Sequence, residues 1–249
     1  LRYNHSDMAD LERKLQSVPK ECGILIVTDG VFSMGGDICK LPEIVSLPKK
    51  YGARVMGDDA HGLGVIGKGG RGTASYYGLE DEVDIYMGTF SKSLASLGGY
   101  MAADEKVVEF VKHTSRPYIF SASMTPANVC CANTALDILK QEPERVERLR
   151  EISAYMRTKL KEKGVDIIDS ETPIIPIYTY QDFKTFVACK LLLERGVYVN
   201  PVISPATPVG KSLLRTSYTA NHTKELMDEA STKIKEVIDI VKDMKEEDI

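Results

Sequence analysis

The chain has 249 residues, 43% hydrophobic and 27% charged, which is enough to bury one substantial core or a large and a small one. A formal net charge of -4, with Lys and Arg scattered among the acids, excludes a nucleic-acid footprint. Five cysteines (Cys22, Cys39, Cys130, Cys131 and Cys189) form no C-x-x-C and no Cys/His cluster, so no metal site is expected, and reduced thiols in a cytoplasm are the simplest reading.

Residues 7–15 carry Met8, Leu11 and Leu15 at helical spacing and predict a short amphipathic helix capped by Ser6. Three apolar runs follow, Ile24-Leu25-Ile26-Val27, Arg54-Val55-Met56-Gly57 and Val83-Asp84-Ile85-Tyr86-Met87, with helical periodicity over residues 41–51 between the first two. This strand-helix-strand rhythm predicts parallel pairing in an α/β sheet. Helices are expected over 105–114, 126–141 and 144–163, the last ended by Gly164. Beyond it, a strand at 174–178, a helix at 183–194, strands at 197–199 and 213–217 and a final helix from Thr223 predict a small α+β domain. The expected division is therefore 1–164, including an interdomain helix, and 165–249. No apolar run approaches the roughly 20 residues of a transmembrane helix. Leu1 is preceded by no Met and no basic-then-apolar leader, so residues upstream are expected to be missing.

In parallel α/β sheets, ligands gather outside the carboxyl ends of the strands. Those ends carry residues 29–33, 58–61 and 89–92. Gly62-Leu63-Gly64-Val65-Ile66-Gly67 matches G-x-G-x-x-G after a strand, but Lys68-Gly69-Gly70-Arg71-Gly72 follows where a dinucleotide site needs a helix, so the glycines are read as loop formers. Asp58-Asp59-Ala60-His61 is either a strand-end turn with surface acids or a carboxylate and imidazole facing a site, able to keep a heteroaromatic nitrogen protonated and polarise a neighbouring oxygen. In Thr89-Phe90-Ser91-Lys92-Ser93, hydroxyls and backbone N–H groups can bind phosphate, and a lysine can form a Schiff base. Arg215 lies inside the apolar run Leu213-Leu214-Arg215-Thr216-Ser217, and its bidentate fork calls for a carboxylate or phosphate, from within the chain or from a ligand. Ser121 and Ser123 read by themselves as loop serines.

Taken together, Gly30-Val31-Phe32-Ser33-Met34-Gly35-Gly36-Asp37, Asp58-Asp59-Ala60-His61-Gly62, Gly69-Gly70-Arg71-Gly72, Gly88-Thr89-Phe90-Ser91-Lys92, Ser115-Arg116-Pro117-Tyr118-Ile119-Phe120-Ser121 and Leu214-Arg215 with Asn221-His222-Thr223 resemble the α-oxoamine synthase family. These are pyridoxal 5'-phosphate (PLP) enzymes of the aspartate-aminotransferase class that condense an amino acid with an acyl-CoA and release carbon dioxide. The resemblance implies that this chain is the C-terminal part of such an enzyme, comprising part of the PLP-binding large domain and a small α+β domain. It implies Lys92 as the Schiff-base lysine and proton carrier, and Asp58 as the partner of the pyridine nitrogen. It further implies His61 and Ser33 at the phenolic oxygen, Thr89 at the phosphate, Ser121 at the phosphate in the other subunit of a homodimer, and Arg215 on the substrate carboxylate. Family members are longer at the N-terminus, where the ring stacked on PLP lies.

Within the family, Gly88-Thr89-Phe90-Ser91-Lys92-Ser93 and Val199-Asn200-Pro201-Val202-Ile203-Ser204-Pro205-Ala206-Thr207-Pro208 look most like bacterial serine palmitoyltransferases. The 8-amino-7-oxononanoate synthases and glycine C-acetyltransferases remain the alternatives. A non-catalytic subunit that keeps only the fold would have no need of Lys92, which is present together with Asp58, His61 and Arg215.

Overall fold

Asp7 starts the first helix, α1 (Met8–Gln16), by accepting a hydrogen bond from Asp10 N at 2.9 Å. The expected cap, Ser6, instead turns the chain with φ 51° one residue earlier. Leu11 and Leu15 bury the inner face of α1. The expected helix over 41–51 is two, α2 (Leu41–Ser46) and α3 (Pro48–Tyr51), because Pro48 offers no N–H to continue the first. Gly52, with φ 63°, ends α3 in the left-handed conformation and donates to Pro48 O at 2.8 Å.

The computed structural model describes residues 1–245 and 247. The chain divides into two compact units, one of Leu1–Val31 with Ile38–Pro143 and one of Phe32–Asp37 with Glu144–Ile249. In the first, β1 (Ile24–Asp29), β2 (Ala53–Asp58) and β3 (Ile85–Thr89) pair in parallel, and β4 (Gly99–Ala103) closes the order β1-β2-β3-β4 antiparallel to β3. Ile26 and Val55 are buried, while Leu25 and Val27, alternating with Ile26 along β1, are exposed. The same unit holds α4 (Thr73–Tyr77), α5 (Glu105–Thr114), α6 (Arg116–Phe120) and α7 (Pro126–Gln141).

The second unit contains α8 (Glu144–Glu162), β5 (Ile174–Tyr180), α9 (Asp182–Glu194), β6 (Asn200–Val202), β7 (Ser212–Ser217) and α10 (Lys224–Lys242). Its antiparallel sheet has the order β5-β7-β6. Ile152, Met156 and Leu160 of α8 are fully buried in one core with Ile175, Ile177, Leu214, Ile234 and Val237. α8, the helix before the expected boundary at Gly164, packs with the second unit, and the division into compact units falls after Pro143. No strand forms at the expected 197–199; it lies just beyond, at β6, where Pro201 is tolerated because β6 is an edge strand.

Candidate active site

The ends of β1, β2 and β3 place Asp29, Asp58 and Thr89 on neighbouring strands. Asp29 and Asp58 are in direct register, and Gly30 N donates to Asp58 O at 2.7 Å just beyond it. Partial burial first, and then the Asp58 charge, push the Asp29 carboxyl up, while Lys92 and His5 pull it down.

Two adjacent carboxylates have opposite fates. Asp59 is buried: its Oδ1 accepts from Thr73 Oγ1 at 2.6 Å and its Oδ2 from Thr73 N at 2.8 Å. Burial pushes its carboxyl up, against the lowering effect of those two bonds. A Cβ on Gly30, Gly62 or Gly72 would run into Asp59 or Thr73, which is why glycines surround this pair. Asp58 accepts from Ala60 N at 2.9 Å on Oδ1, and its Oδ2 meets no hydrogen-bond donor among the described residues. A backbone N–H thus orients the group while one oxygen stays open to a ligand.

His61 lies in the turn after Asp58, where Gly62 N and Leu63 N both donate to Asp59 O. Gly64 and Gly67 continue the turn with φ 75° and 78°, and no helix begins inside the G-x-G-x-x-G stretch, as its reading as loop formers expects. At the end of β3, Thr89 Oγ1 lies 2.8 Å from Ser91 Oγ and donates to Gly98 O at 3.1 Å, so two hydroxyls meet beside Lys92. The loop carrying Lys92 is held at both ends: Ala95 N donates to Lys92 O at 3.1 Å, and Ser96 Oγ donates to Asn128 O of α7 at 2.7 Å. Strands β2 and β3 therefore bring Asp58, His61, Thr89 and Lys92 to one end of the first unit's sheet. Ser121 is apart from them, exposed just after α6 and without a hydrogen bond among the described residues.

The remaining two expected residues belong to the second unit. Ser33 sits in the Phe32–Asp37 segment, which is anchored there by Thr172 Oγ1 donating to Gly36 O at 2.7 Å. Arg215 lies on the central strand β7, opposite Pro176 of β5 and Asn200 of β6. Its Nε is buried without a hydrogen-bond partner, and no carboxylate among the described residues pairs with it. Burial lowers its pKa from the ordinary arginine value. A part-buried guanidinium whose Nε has no internal partner fits an external carboxylate.

The model of the family described as aminotransferase class I and II matches residues 1–234. The chain belongs to the aminotransferase class I and II family. This aminotransferase-family chain is 51% identical over 234 residues to a serine palmitoyltransferase of Sphingobacterium spiritivorum, covering 94% of this chain and 59% of the relative. It is 45% identical over 228 residues to 8-amino-7-oxononanoate synthase 1 of Bacillus velezensis, covering 92% of this chain and 58% of that one. Among solved structures, a serine palmitoyltransferase carrying PLP as an internal aldimine superposes with a TM-score of 0.93 at 35% identity, over 98% of this chain and 62% of that chain. The fold is thus the PLP-dependent aminotransferase fold, and the resemblance read from the motifs holds. The chain spans about three fifths of the length of the relatives it matches. The sequence reading placed Asp29 at a strand end but gave it no role of its own; the register sets it beside Asp58.

Proposed function

We propose that this chain is the lysine-bearing part of a PLP-dependent acyltransferase that joins an amino acid to an acyl-CoA with loss of carbon dioxide, in the manner of serine palmitoyltransferase. The observation that carries the reading is Asp58, with one oxygen fixed by Ala60 N and the other open, at the strand end next to the Thr89-to-Lys92 loop. That arrangement fits a protonated heteroaromatic nitrogen, a phosphate and a carbonyl carbon presented together. The name of a relative at 51% identity supports the subfamily.

When bound, PLP supplies an electron sink for the substrate's α-carbon. Asp58, oriented by Ala60 N, would hold the ring nitrogen and keep it protonated. His61 would contact the phenolic oxygen and the Thr89 hydroxyl the phosphate, with Ser33 at the phenolic oxygen as the resemblance implies. Lys92 would hold the cofactor through its amine, and the same amine would carry the proton at the substrate's α-carbon. Arg215 grips the amino acid's carboxylate through its fork and fixes the α-carbon's orientation. Ser121, exposed in a single chain, serves the phosphate site of a second subunit in a homodimer. No helix among the described residues is long and apolar enough to cross a membrane, and a cytoplasmic location is part of this proposal.

A second reading, 8-amino-7-oxononanoate synthase, is favoured by the 45% identical relative and differs in the amino acid and acyl group used. The two part in one experiment on the intact protein with PLP, in which serine, glycine and alanine are titrated separately while the visible spectrum and CoA release are recorded. Serine alone shifting the spectrum and supporting CoA release from a long-chain acyl-CoA supports the first reading. The same response to alanine with a dicarboxylic acyl-CoA supports the second.

A further inference from the structure

The loop from Phe90 to Ser96 that carries Lys92 is closed by its own backbone. Phe90 N donates to Gly98 O at 2.9 Å and Ser96 N donates to Phe90 O at 2.8 Å, which makes a neck directly after β3. Inside the neck, Ala95 N donates to Lys92 O at 3.1 Å, so Lys92 opens a tight turn through Ser93 and Leu94. Ala95 takes φ 49°, a left-handed conformation that a residue with a Cβ keeps only where its surroundings impose it. Lys92, Ser93 and Ala95 are exposed, so the contacts that impose it come from outside the turn.

Those contacts come chiefly from α7. Ser96 Oγ donates to Asn128 O, in the first turn of α7, at 2.7 Å. Cys131, three residues further along the helix, donates from Sγ to Ala95 O at 3.4 Å. Two neighbouring loop residues are thereby bonded to one face of a 16-residue helix whose start is capped by Thr125. The thiol is the weaker donor, so Ser96 makes the firmer of the two bonds. From the other side the turn after β2 closes in: a Cβ on Gly64, where φ is 75°, would lie 2.5 Å from Ser93 Cβ.

We propose that Ser96 is a positioning residue for Lys92: its hydroxyl locks the Lys92 turn onto α7 and so holds the lysine's backbone where the amine attacks the PLP aldehyde. In that step the amine nitrogen bonds the aldehyde carbon, and the carbonyl oxygen leaves as water with the amine's two protons. The inference deepens the function proposed above and rests on it for the identity of the lysine's partner.

A lysine amine rides on a flexible four-carbon stem, so its aim depends on how firmly its Cα is held. Fixing a nucleophile beside its target speeds attack through orientation, without changing how tightly the target itself is bound. Asp58 and Thr89 make their bonds to Ala60, Ser91 and Gly98, and none of these runs through the Ser96 hydroxyl. Loss of that hydroxyl therefore slows covalent capture and spares recognition of the ring and phosphate.

The test uses the intact protein stripped of PLP and takes two readings from each variant. One is the rate at which the visible band of the lysine–PLP bond appears on adding PLP. The other is the dissociation constant of pyridoxamine 5'-phosphate, which has the ring and phosphate but no aldehyde for the lysine to attack. Ser96→Ala is expected to slow the band about fivefold to tenfold and to leave pyridoxamine 5'-phosphate binding within about twofold of wild type. Hydrogen exchange without any ligand should show the Ala95 and Ser96 amides of Ser96→Ala losing protection while those of β3 keep theirs. Ser96→Thr, which keeps the hydroxyl, is expected to capture PLP at the wild-type rate. An unchanged rate in Ser96→Ala, an equal loss of pyridoxamine 5'-phosphate affinity, or a Ser96→Thr no faster than Ser96→Ala overturns the proposal. The two levels separate: if wild-type Lys92 captures PLP and Ser96→Ala does so equally fast, the function stands and the role of Ser96 falls, whereas a wild type that captures none overturns the functional reading and this role with it.

Discussion

Asp59 takes both hydrogen bonds that Thr73 can give, from Oγ1 at 2.6 Å and from N at 2.8 Å, and in doing so it is committed to the fold and not to a ligand. It joins the end of β2 to the start of α4 under a roof of three glycines. The division of labour between neighbouring acids follows from strand alternation, which sends Asp58 to the open face and Asp59 to the interior.

Asp59→Asn should therefore destabilise the first unit by about 2–3 kcal/mol, since the amide cannot accept both Thr73 donors. The pH dependence has a definite sign. Asp59 has a raised carboxyl pKa in the folded chain, so its contribution is full below the ordinary carboxylate value and is lost as pH rises through the folded one. Urea unfolding should show a larger gap between wild type and variant near about pH 4 than near about pH 7. A gap that grows with pH would mean that Asp59 is held charged.

Ile152 of α8 is fully buried in the second unit's core. Ile152→Ala is expected to cost about 3 kcal/mol. Hydrogen exchange should show the amides of α8, β5 and β7 losing protection together while those of β1 to β3 do not. If exchange of α8 follows β1 to β3 instead, the division after Pro143 is misplaced.

Arg215 should show the signature of a residue kept for function at the expense of stability. Its guanidinium is part-buried with Nε unsatisfied, so Arg215→Met is expected to leave stability unchanged or raise it by about 1 kcal/mol. The same variant should raise the KM for the amino acid by about 100-fold, and Arg215→Lys by about tenfold, because an ammonium cannot reproduce the bidentate fork. Thermal unfolding and steady-state kinetics on the same samples test the pair of effects. A large loss of stability would make Arg215 a structural residue.

Much of this was legible before any coordinates. The three parallel strands announce themselves as short apolar runs, and the polar residues that end them are the ones the sheet gathers at one end. Asp58, His61, Thr89 and Lys92 were readable for that reason. Strand β4 was not, because Gly99-Tyr100-Met101-Ala102-Ala103 has no alternation of its own. It forms by pairing along β3, with Tyr100 stacked on Phe90 at 5.9 Å between ring centroids. The five-residue helix α6 is likewise invisible to periodicity, since Pro117, Tyr118, Ile119 and Phe120 are all exposed. Which member of the Asp58-Asp59 pair serves the fold depends on Thr73, beyond a glycine-rich loop, and spacing alone cannot show that partnership. The pairing of Asp29 with Asp58 needed the register of a second strand.

The central claim is that Lys92 is the residue to which PLP attaches. The most direct measurement is to incubate the intact protein with PLP, reduce with borohydride, digest, and locate the pyridoxyl group by mass spectrometry. The account predicts that the label falls on Lys92 and that Lys92→Ala takes up none at any lysine while still folding. A label on another lysine, or equal labelling of Lys92→Ala, would contradict it.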